Sequence, residues 1–413
     1  MAERERFQAP RGTADTLPAA AAARARIERT ARELLERAGY ARIETPVFED
    51  TELFARGVGG STDIVRKEMF TFEDKGGRSV TLRPEATASI ARAYLEHGMQ
   101  KLPQPVKLWW YGPLFRHERP QAGRFRQFTQ LDAEVIGSDS PLVDAELILL
   151  CDELLRSLEV PDLTLRIGSL GSPESRAEYK TELIAYLRRH ESELAREVRE
   201  RIDENPLRAF DSKDESTRAV MAGAPTVLDR LEGEDAQHFA AVRRLLDMQG
   251  LEYELDGTLV RGLDYYTRTV FEFHSARLGA QSQVAGGGRY DRLIELLGGP
   301  PTPANGWAAG IERMLLAVGT EEGERLHEVF VAAEDSQRER ALALVTELRR
   351  AGLRADIDLA GRSMKGQMRQ ADRVGAGHTV ILDADGSAQL RDMRSGEQRE
   401  VDAAHVVEEL GTG

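Results

Sequence analysis

Between residues 107 and 126 the chain carries five cations, Lys107, Arg116, Arg119, Arg124 and Arg126, against one carboxylate, Glu118. That is a local excess of positive charge in a polypeptide whose formal charge is -14. Such a patch attracts anions, phosphates above all, while the molecule as a whole repels polyanions. Overlapping its end, Arg126, Phe128, Gln130, Asp132 and Glu134 alternate with Gln127, Thr129, Leu131 and Ala133. On an extended strand these residues share one face, a polar lining that a core would not choose. Either the face meets water, as in a simple amphipathic hairpin, or it lines a polar site.

Three further segments hold residues able to do chemistry. LVRGLDYYTRTVFEF, 259 to 273, sets Arg261, Asp264, Tyr265, Tyr266 and Arg268 among apolar residues, either as an exposed edge or as part of a site. AGGGRYDRL, 285 to 293, has three glycines that admit a ligand close to the backbone, or simply a tight turn. In GWAAGIERMLLA, 306 to 317, Arg313 lies within an apolar stretch. A buried guanidinium needs an anionic partner, either a structural carboxylate or a phosphate. The common phosphate cradles are missing: there is no G-x-x-x-x-G-K-[ST] and no G-x-G-x-x-G after a strand. Histidines 97, 117, 190, 238, 274, 327, 378 and 405 are scattered without ligand spacing, so no protein motif for a metal is present and a zinc hydrolase is not expected. No G-x-S-x-G elbow occurs. The single cysteine, Cys151, forbids an intrachain disulfide, fits a reducing compartment and reads as a small buried hydrophobe.

These segments need elements to position them. A length of 413 residues predicts two or three domains, and 41% hydrophobic with 31% charged residues is the balance of soluble globular chains. No run approaches eighteen apolar residues, and MAERERFQAPRG has no apolar leader, so membrane insertion and export are not expected and the cytoplasm is. Periodicity predicts helices over 17–38 and 141–158, then a strand from Leu163 to Gly168. A polar, mostly helical block from about 173 to 255 reads as an insertion. Strands follow at TLVRG (258–262), TVFEFHS and QSQVAGG, with helices over 290–297 and about 308–318. GTEEGERLH, 319 to 327, is the candidate linker. Beyond it the pattern β, α, β, α, β, β, α describes a small α/β domain with a mixed sheet.

Taken together the segments resemble the histidyl-tRNA synthetases, a family of class II aminoacyl-tRNA synthetases. FRHERPQAGRFRQF is similar to class II motif 2, GWAAGIERMLL to motif 3, and IETPVFED around Pro46 to motif 1. RGLDYYTRTVFEF and AGGGRYD resemble the two signatures of the histidine enzymes, TLRPEATAS their amino-acid-binding segment, and GRSMKGQMRQADRVGAGHTVIL their anticodon-binding module. Asp132 and Ala133 depart from motif 2, and Thr87 follows an alanine where glycine is commoner. The resemblance implies an α+β catalytic domain built on an antiparallel sheet over 1–326, with the helical insertion at about 173–255, and an α/β anticodon-binding domain over 327–413. It also implies ATP and Mg2+ for the reaction, L-histidine and its tRNA as partners, and a homodimer formed through motif 1.

By the same resemblance Arg116 would hold the α-phosphate, Arg313 the outer phosphates, Phe128 the adenine, and Glu118 would face the nucleotide. Arg261 would bridge the substrate carboxylate and the α-phosphate, so Arg261 and Arg116 are the expected catalytic pair. Glu85, Thr87 and Gln130 would take the ammonium, Glu134 and Tyr266 the imidazole, with Tyr265 assisting. Arg119, Arg124 and Arg126 would meet the tRNA acceptor end. Two rivals share the fold: a regulatory subunit of ATP phosphoribosyltransferase, and a class II synthetase for proline, threonine or glycine. The intact RGLDYYT segment and the carboxyl-terminal module argue against the first, and the histidine-specific segments against the second.

Arg261→His is expected to slow amino-acid activation roughly a hundredfold to a thousandfold, about 3 to 4 kcal/mol of transition-state stabilisation, while weakening ATP binding far less. Wild-type turnover in the variant, measured by pyrophosphate exchange, would reduce Arg261 to a structural role.

Overall fold

The computed structural model describes residues 7–60, 62–260, 263–279, 281–319, 327–403 and 405–411, which fall into two units, Met1–Thr320 and Glu321–Gly413. The strands of the first unit are β1 (Ala41–Arg42), β2 (Phe48–Asp50), β3 (Phe70–Glu73), β4 (Ser79–Leu82), β5 (Val106–Phe115), β6 (Gln127–Ile136), β7 (Leu163–Ser169), β8 (Glu254–Leu255), β9 (Thr267–Ser275), β10 (Gln283–Arg289) and β11 (Ala304–Gly310). Among the described residues eight of them form one sheet in the order β1-β5-β6-β11-β10-β9-β7-β8. Its interior is antiparallel, and the outer pairs β1·β5 and β7·β8 are parallel. A smaller antiparallel sheet, β2-β4-β3, stands apart.

The helices of this unit are α1 (Pro18–Arg37), α2 (Thr51–Val58), α3 (Thr87–Glu96), α4 (Pro141–Ser157), α5 (Pro173–Arg189), α6 (Arg196–Arg199), α7 (Glu215–Met221), α8 (Gly233–Met248), α9 (Leu293–Leu296) and α10 (Ile311–Val318). Ser140 starts α4: its hydroxyl accepts from the Leu142 amide, and Pro141 occupies the first turn, where no amide proton is missed. The α4 stripe of Leu147, Leu150 and Leu154 packs with Ile27 and Leu34 of α1, Val242 and Leu246 of α8, and the odd-numbered residues Leu131, Ala133 and Val135 of β6. Each such side chain contributes about 1.5 to 3 kcal/mol on burial. The even-numbered face of β6 belongs to a second cluster containing Trp110, Leu114, Tyr265 and Tyr290, so helices cover one side of the sheet and leave the other for a cleft. Tyr179, Leu183, Leu187, Ile202 and Val220 make a core of their own for the helical block, whereas α8 at its end joins the sheet's core.

Several expectations change. Residues 258–260 form no strand, and β9 begins at Thr267, two residues ahead of the expected TVFEFHS. Arg268, the second residue of β9, has φ +44, a left-handed conformation at the bulge where the β9·β10 register shifts. Tyr265 and Tyr266 lie in the turn ahead of β9, with ring centroids 4.8 Å apart, instead of pointing to opposite faces as strand neighbours do. The expected helix over 290–297 shrinks to α9, and the strand β11 continues to Gly310 before α10. Residues 320–326 of the expected linker lie outside the described residues.

The second unit contains β12 (Val329–Ala333), α11 (Arg338–Arg350), β13 (Ala355–Ile357), α12 (Met364–Arg373), β14 (His378–Leu382), β15 (Ala388–Asp392), β16 (Gln398–Val401) and α13 (Val406–Gly411). Its sheet runs β13-β12-β14-β15-β16, parallel across the first three strands and antiparallel across the rest. The Gln367 side chain, 3% exposed, donates to the Ala333 carbonyl and accepts from the Ala333 amide, pinning α12 to β12.

One polar network is buried in the first unit. Arg289, the last residue of β10, donates to Asp144 at 2.6 Å, to the Ser138 carbonyl at 2.7 Å and to Asp291 at 3.2 Å. Asp144 also meets His238 of α8 at 3.4 Å. Burial alone would raise the Asp144 carboxyl; the His238 hydrogen bond and the Arg289 charge hold it below the usual carboxylate range. Removing one partner strands the other charge in a medium that cannot solvate it. Asp144→Ala is accordingly expected to destabilise the protein by about 3 to 5 kcal/mol, visible as a lower denaturant midpoint; an unchanged midpoint would show that Arg289 finds other compensation.

Candidate functional site

The polar face that alternation sets on β6 is the floor of a cleft of about 640 Å³. From Phe128 to Glu134 the strand runs about 20 Å through it, and the two ends differ in chemistry. At the inner end Glu134 is 2% exposed, accepting from Thr87 Oγ1 at 2.7 Å and from the Tyr290 hydroxyl at 2.5 Å. Gly306 faces Glu134 across the β6·β11 ladder, and a side chain there would occupy the position of its carboxylate. Glu85 accepts from the Ala88 amide at 2.8 Å, satisfying one open amide of the first turn of α3, and from the Tyr265 hydroxyl at 3.4 Å. Asp132 lies between Gln130 and Glu134 on the same strand face and is 1% exposed.

Burial raises all three carboxyls. Glu134 is pushed up to about 8, against the pull of its hydrogen bonds from Tyr290 and Thr87. Glu85 rises through burial, opposed by the Ala88 amide and the Arg116 charge. Asp132 stands well above the carboxylate range through burial and the neighbouring charges of Glu134 and Glu85. The inner end is thus lined by carboxyls whose protons burial retains.

At the outer end β5 and β6 close into a hairpin, with the Arg116 amide donating to the Arg126 carbonyl at 2.9 Å. The Arg116 guanidinium lies 5.2 Å from the Phe128 ring centroid and its Nε donates to the Pro84 carbonyl at 2.8 Å, which fixes both side chains over the floor. Arg124 pairs with Glu118 at 3.2 Å. Arg313 of α10 donates to the Gln281 carbonyl, while its Nε is buried without a partner among the described residues. Burial and the neighbouring Arg124 charge lower the Arg313 guanidinium, the state of a cation awaiting an anion.

Of the residues singled out from the sequence, Glu85, Thr87, Arg116, Glu118, Arg124, Phe128, Gln130, Glu134, Tyr265, Tyr266 and Arg313 all line this cleft. Arg119 is exposed on the hairpin loop, and Arg126 turns aside to the carbonyls of Glu118 and Arg11; neither lines it. Arg261 lies outside the described residues. Thr87 donates to Glu134. Sequence reasoning passed over Tyr290, although it ends the glycine-rich AGGGRY run, and gave Asp132 no role although it shares the polar face. Glu272 of β9 and Arg208 and Phe210 of the helical block also line the walls. The last two sit in a six-residue 3-10 turn, PLRAFD, too short to show a periodic signal.

Comparison with known proteins gives the arrangement a context. The profile described as Histidyl-tRNA synthetase matches residues 12–314, and that described as Anticodon binding domain matches residues 322–412. The chain is 50% identical over 409 residues to a histidine–tRNA ligase of Rubrobacter xylanophilus, covering 96% of each sequence. It is 47% identical over 413 residues to one of Halothermothrix orenii, covering 98% of each. The crystal structure of apo S. aureus histidyl-tRNA synthetase is similar with a TM-score of 0.82 at 36% identity, covering 98% of this chain and 100% of that one.

The raised Glu134 carboxyl has a measurable consequence. In the unfolded chain a glutamate ionises near about 4.3, so as pH rises the unfolded state sheds this proton first and the folded state loses stability until Glu134 itself ionises at about 8. Relative to the parent, ligand-free Glu134→Gln is therefore expected to gain stability as pH is raised from about 5 to about 8. Parallel melting-temperature profiles for the two proteins across this window would show that Glu134 is ionised throughout.

Proposed function

The chain belongs to the histidyl-tRNA synthetase family, and on that premise we propose how its cleft divides the substrates of the reaction. The enzyme is a class II aminoacyl-tRNA synthetase: it forms histidyl-adenylate from L-histidine and ATP with release of pyrophosphate, then transfers the histidyl group to the 3'-terminal ribose of its tRNA. In our reading the inner end takes histidine. Glu134, held by Thr87 and Tyr290, accepts an imidazole N–H, with Tyr266 beside it and Tyr265 supporting Glu85. Glu85 and Gln130 serve the ammonium. The supporting observation is a single one: a cleft floor with buried carboxyls at one end and, at the other, Arg116 over Phe128 and Arg313 with a buried, unpartnered Nε.

At that other end adenine stacks on Phe128, Arg116 holds the α-phosphate, Glu118 faces the nucleotide and Arg313 meets the outer phosphates. Arg261 then screens the histidine carboxylate from the α-phosphate as they approach. Charge developing on the phosphoryl oxygens favours donors that are already in place. Arg124 and Arg119, on the cleft rim and the hairpin loop, suit the tRNA acceptor end; Arg126 serves it through the hairpin it braces.

Mg2+ accompanies ATP in this scheme. Among the described residues no group of three metal-ligating side chains is present. The fit is for an ion carried largely by phosphate oxygens and water, with a wall carboxylate such as Glu272 in support. We further propose a homodimer and a cytoplasmic location. Val47, Phe48 and Phe72 leave 42%, 54% and 46% of their surface exposed around the small sheet next to Pro46, an apolar face suited to a second copy. Among the described residues no helix is long and apolar enough to cross a membrane.

Pyrophosphate exchange tests the reading. Exchange should depend on histidine, and Glu134→Gln should raise the histidine requirement about tenfold to a hundredfold, the equivalent of about 1.5 to 3 kcal/mol for a hydrogen bond to a charged group, with the ATP requirement nearly unchanged. A changed ATP requirement with an unchanged histidine requirement would reassign Glu134 to the nucleotide.

A further inference from the structure

Asp132 is the one member of the carboxyl group in the cleft floor whose presence the preceding account leaves unexplained. Its Oδ1 is fully buried and has no hydrogen-bond partner among the described residues. Its register neighbours are Trp110 on β5 and Ala308 on β11, of which only the first is bulky and neither is charged. An unsatisfied buried carboxyl costs stability wherever it stands, and an apolar side chain at this position would serve the fold better. The side chain nevertheless lines the cleft, in the field of Glu134, Glu85, Arg116 and Arg83. A group kept at a cost to the fold, aimed into a site and lacking a partner, points to a partner that arrives with the ligand.

The spacing of β6 says which part of the ligand. Asp132 is two residues from Glu134, about 7 Å along an extended strand. With the imidazole ring of histidine against Glu134, its α-nitrogen falls one pleat away, over Asp132. The next step along the strand, at Gln130, leads toward Phe128 and Arg116, where the carboxylate must meet the α-phosphate. We propose that Asp132 is a substrate-binding residue that accepts the α-ammonium group of the histidine substrate. The inference rests on the placement of histidine given under the proposed function, and it adds a carboxylate acceptor at a position where this chain departs from the motif 2 pattern. An ammonium offers three donors and a full positive charge, so it can satisfy Glu85 and Asp132 together and relieve the repulsion between them.

Two analogues separate the groups of the substrate. Histamine keeps the ring and the ammonium but lacks the carboxylate, whereas imidazole-4-propionate keeps the ring and the carboxylate but lacks the ammonium. Each is measured as a competitive inhibitor of histidine-dependent pyrophosphate exchange by the full chain, parent and Asp132→Asn. The variant should weaken histamine about tenfold to a hundredfold and leave imidazole-4-propionate unchanged or slightly tighter, because a buried like charge has gone. The ratio of the two inhibition constants on one preparation does not depend on the fraction of protein folded, and Asp132→Ser should shift it in the same direction. Equal weakening of both analogues in both variants would overturn the proposal and make Asp132 a part of the pocket's shape only. Glu134→Gln, run in parallel, should weaken both analogues alike; if it affects neither, the placement of histidine itself fails, a result distinct from a failure confined to Asp132.

Discussion

Carboxylates leave water reluctantly, and the cost of burying one is several kcal/mol unless charge or hydrogen bonds replace the lost solvent. This chain buries Glu85, Asp132 and Glu134 together, and none of them makes an ion pair among the described residues. Much of the surrounding structure follows from that constraint. Thr87 opens α3 beside Glu134, Tyr290 closes over it from the end of β10, and Gly306 leaves room for it on the adjacent strand. Behind Tyr290, the buried Arg289 ties β10 to α4 through Asp144 and to Ser138, so the tyrosine that holds the acid is itself anchored. The stability that tolerates this arrangement comes from the opposite face of the sheet, where α1, α4 and α8 pack their leucines and isoleucines.

The same strand that carries the acids carries the other half of the chemistry. Its far end holds Phe128 beneath Arg116, with Arg313 approaching from α10. A reaction between a carboxylate and a phosphate must bring two anions together, and an antiparallel sheet solves the problem by distance along one strand. In the proposed placement the cationic and hydrogen-bonding parts of the amino acid settle at the acidic end, and the phosphates at the basic end. Only the reacting groups then meet in the middle. In that placement the charge comes from Arg116, just beyond β5, and Arg313 of α10, in a sequence without a glycine-rich phosphate loop.

What could be read in advance depended on periodicity and on charge. The β5–β6 hairpin was legible because its residues alternate over ten positions on each strand, and because a polar face on a strand must either meet water or a ligand. The leucine stripe of α4 was equally plain. Elements whose form depends on tertiary context were not legible. The bulge at Arg268, whose guanidinium pairs with Asp235 of α8, and the turn that sets both tyrosines side by side ahead of β9 carry no periodic signal. Strand β16 is an exposed edge, and Gln398, Arg399 and Glu400 offer no apolar alternation to mark it. Tyr290 looked like the end of a turn, and only its contact with Glu134 makes it part of the site. The resemblance to a known family named the polar residues at both ends of the cleft floor, yet it gave no role to Asp132, where this chain departs from the pattern.

The central claim is that one strand sorts the two substrates by charge. A crystal structure of the chain with histidine and a non-hydrolysable ATP analogue tests it most directly. The imidazole is predicted to lie against Glu134 and Tyr290 at the inner end of β6, the ammonium over Asp132 and Glu85, the adenine on Phe128, and the phosphates between Arg116 and Arg313. An imidazole at the arginine-lined mouth, or a triphosphate reaching the Glu134 end, would contradict the account.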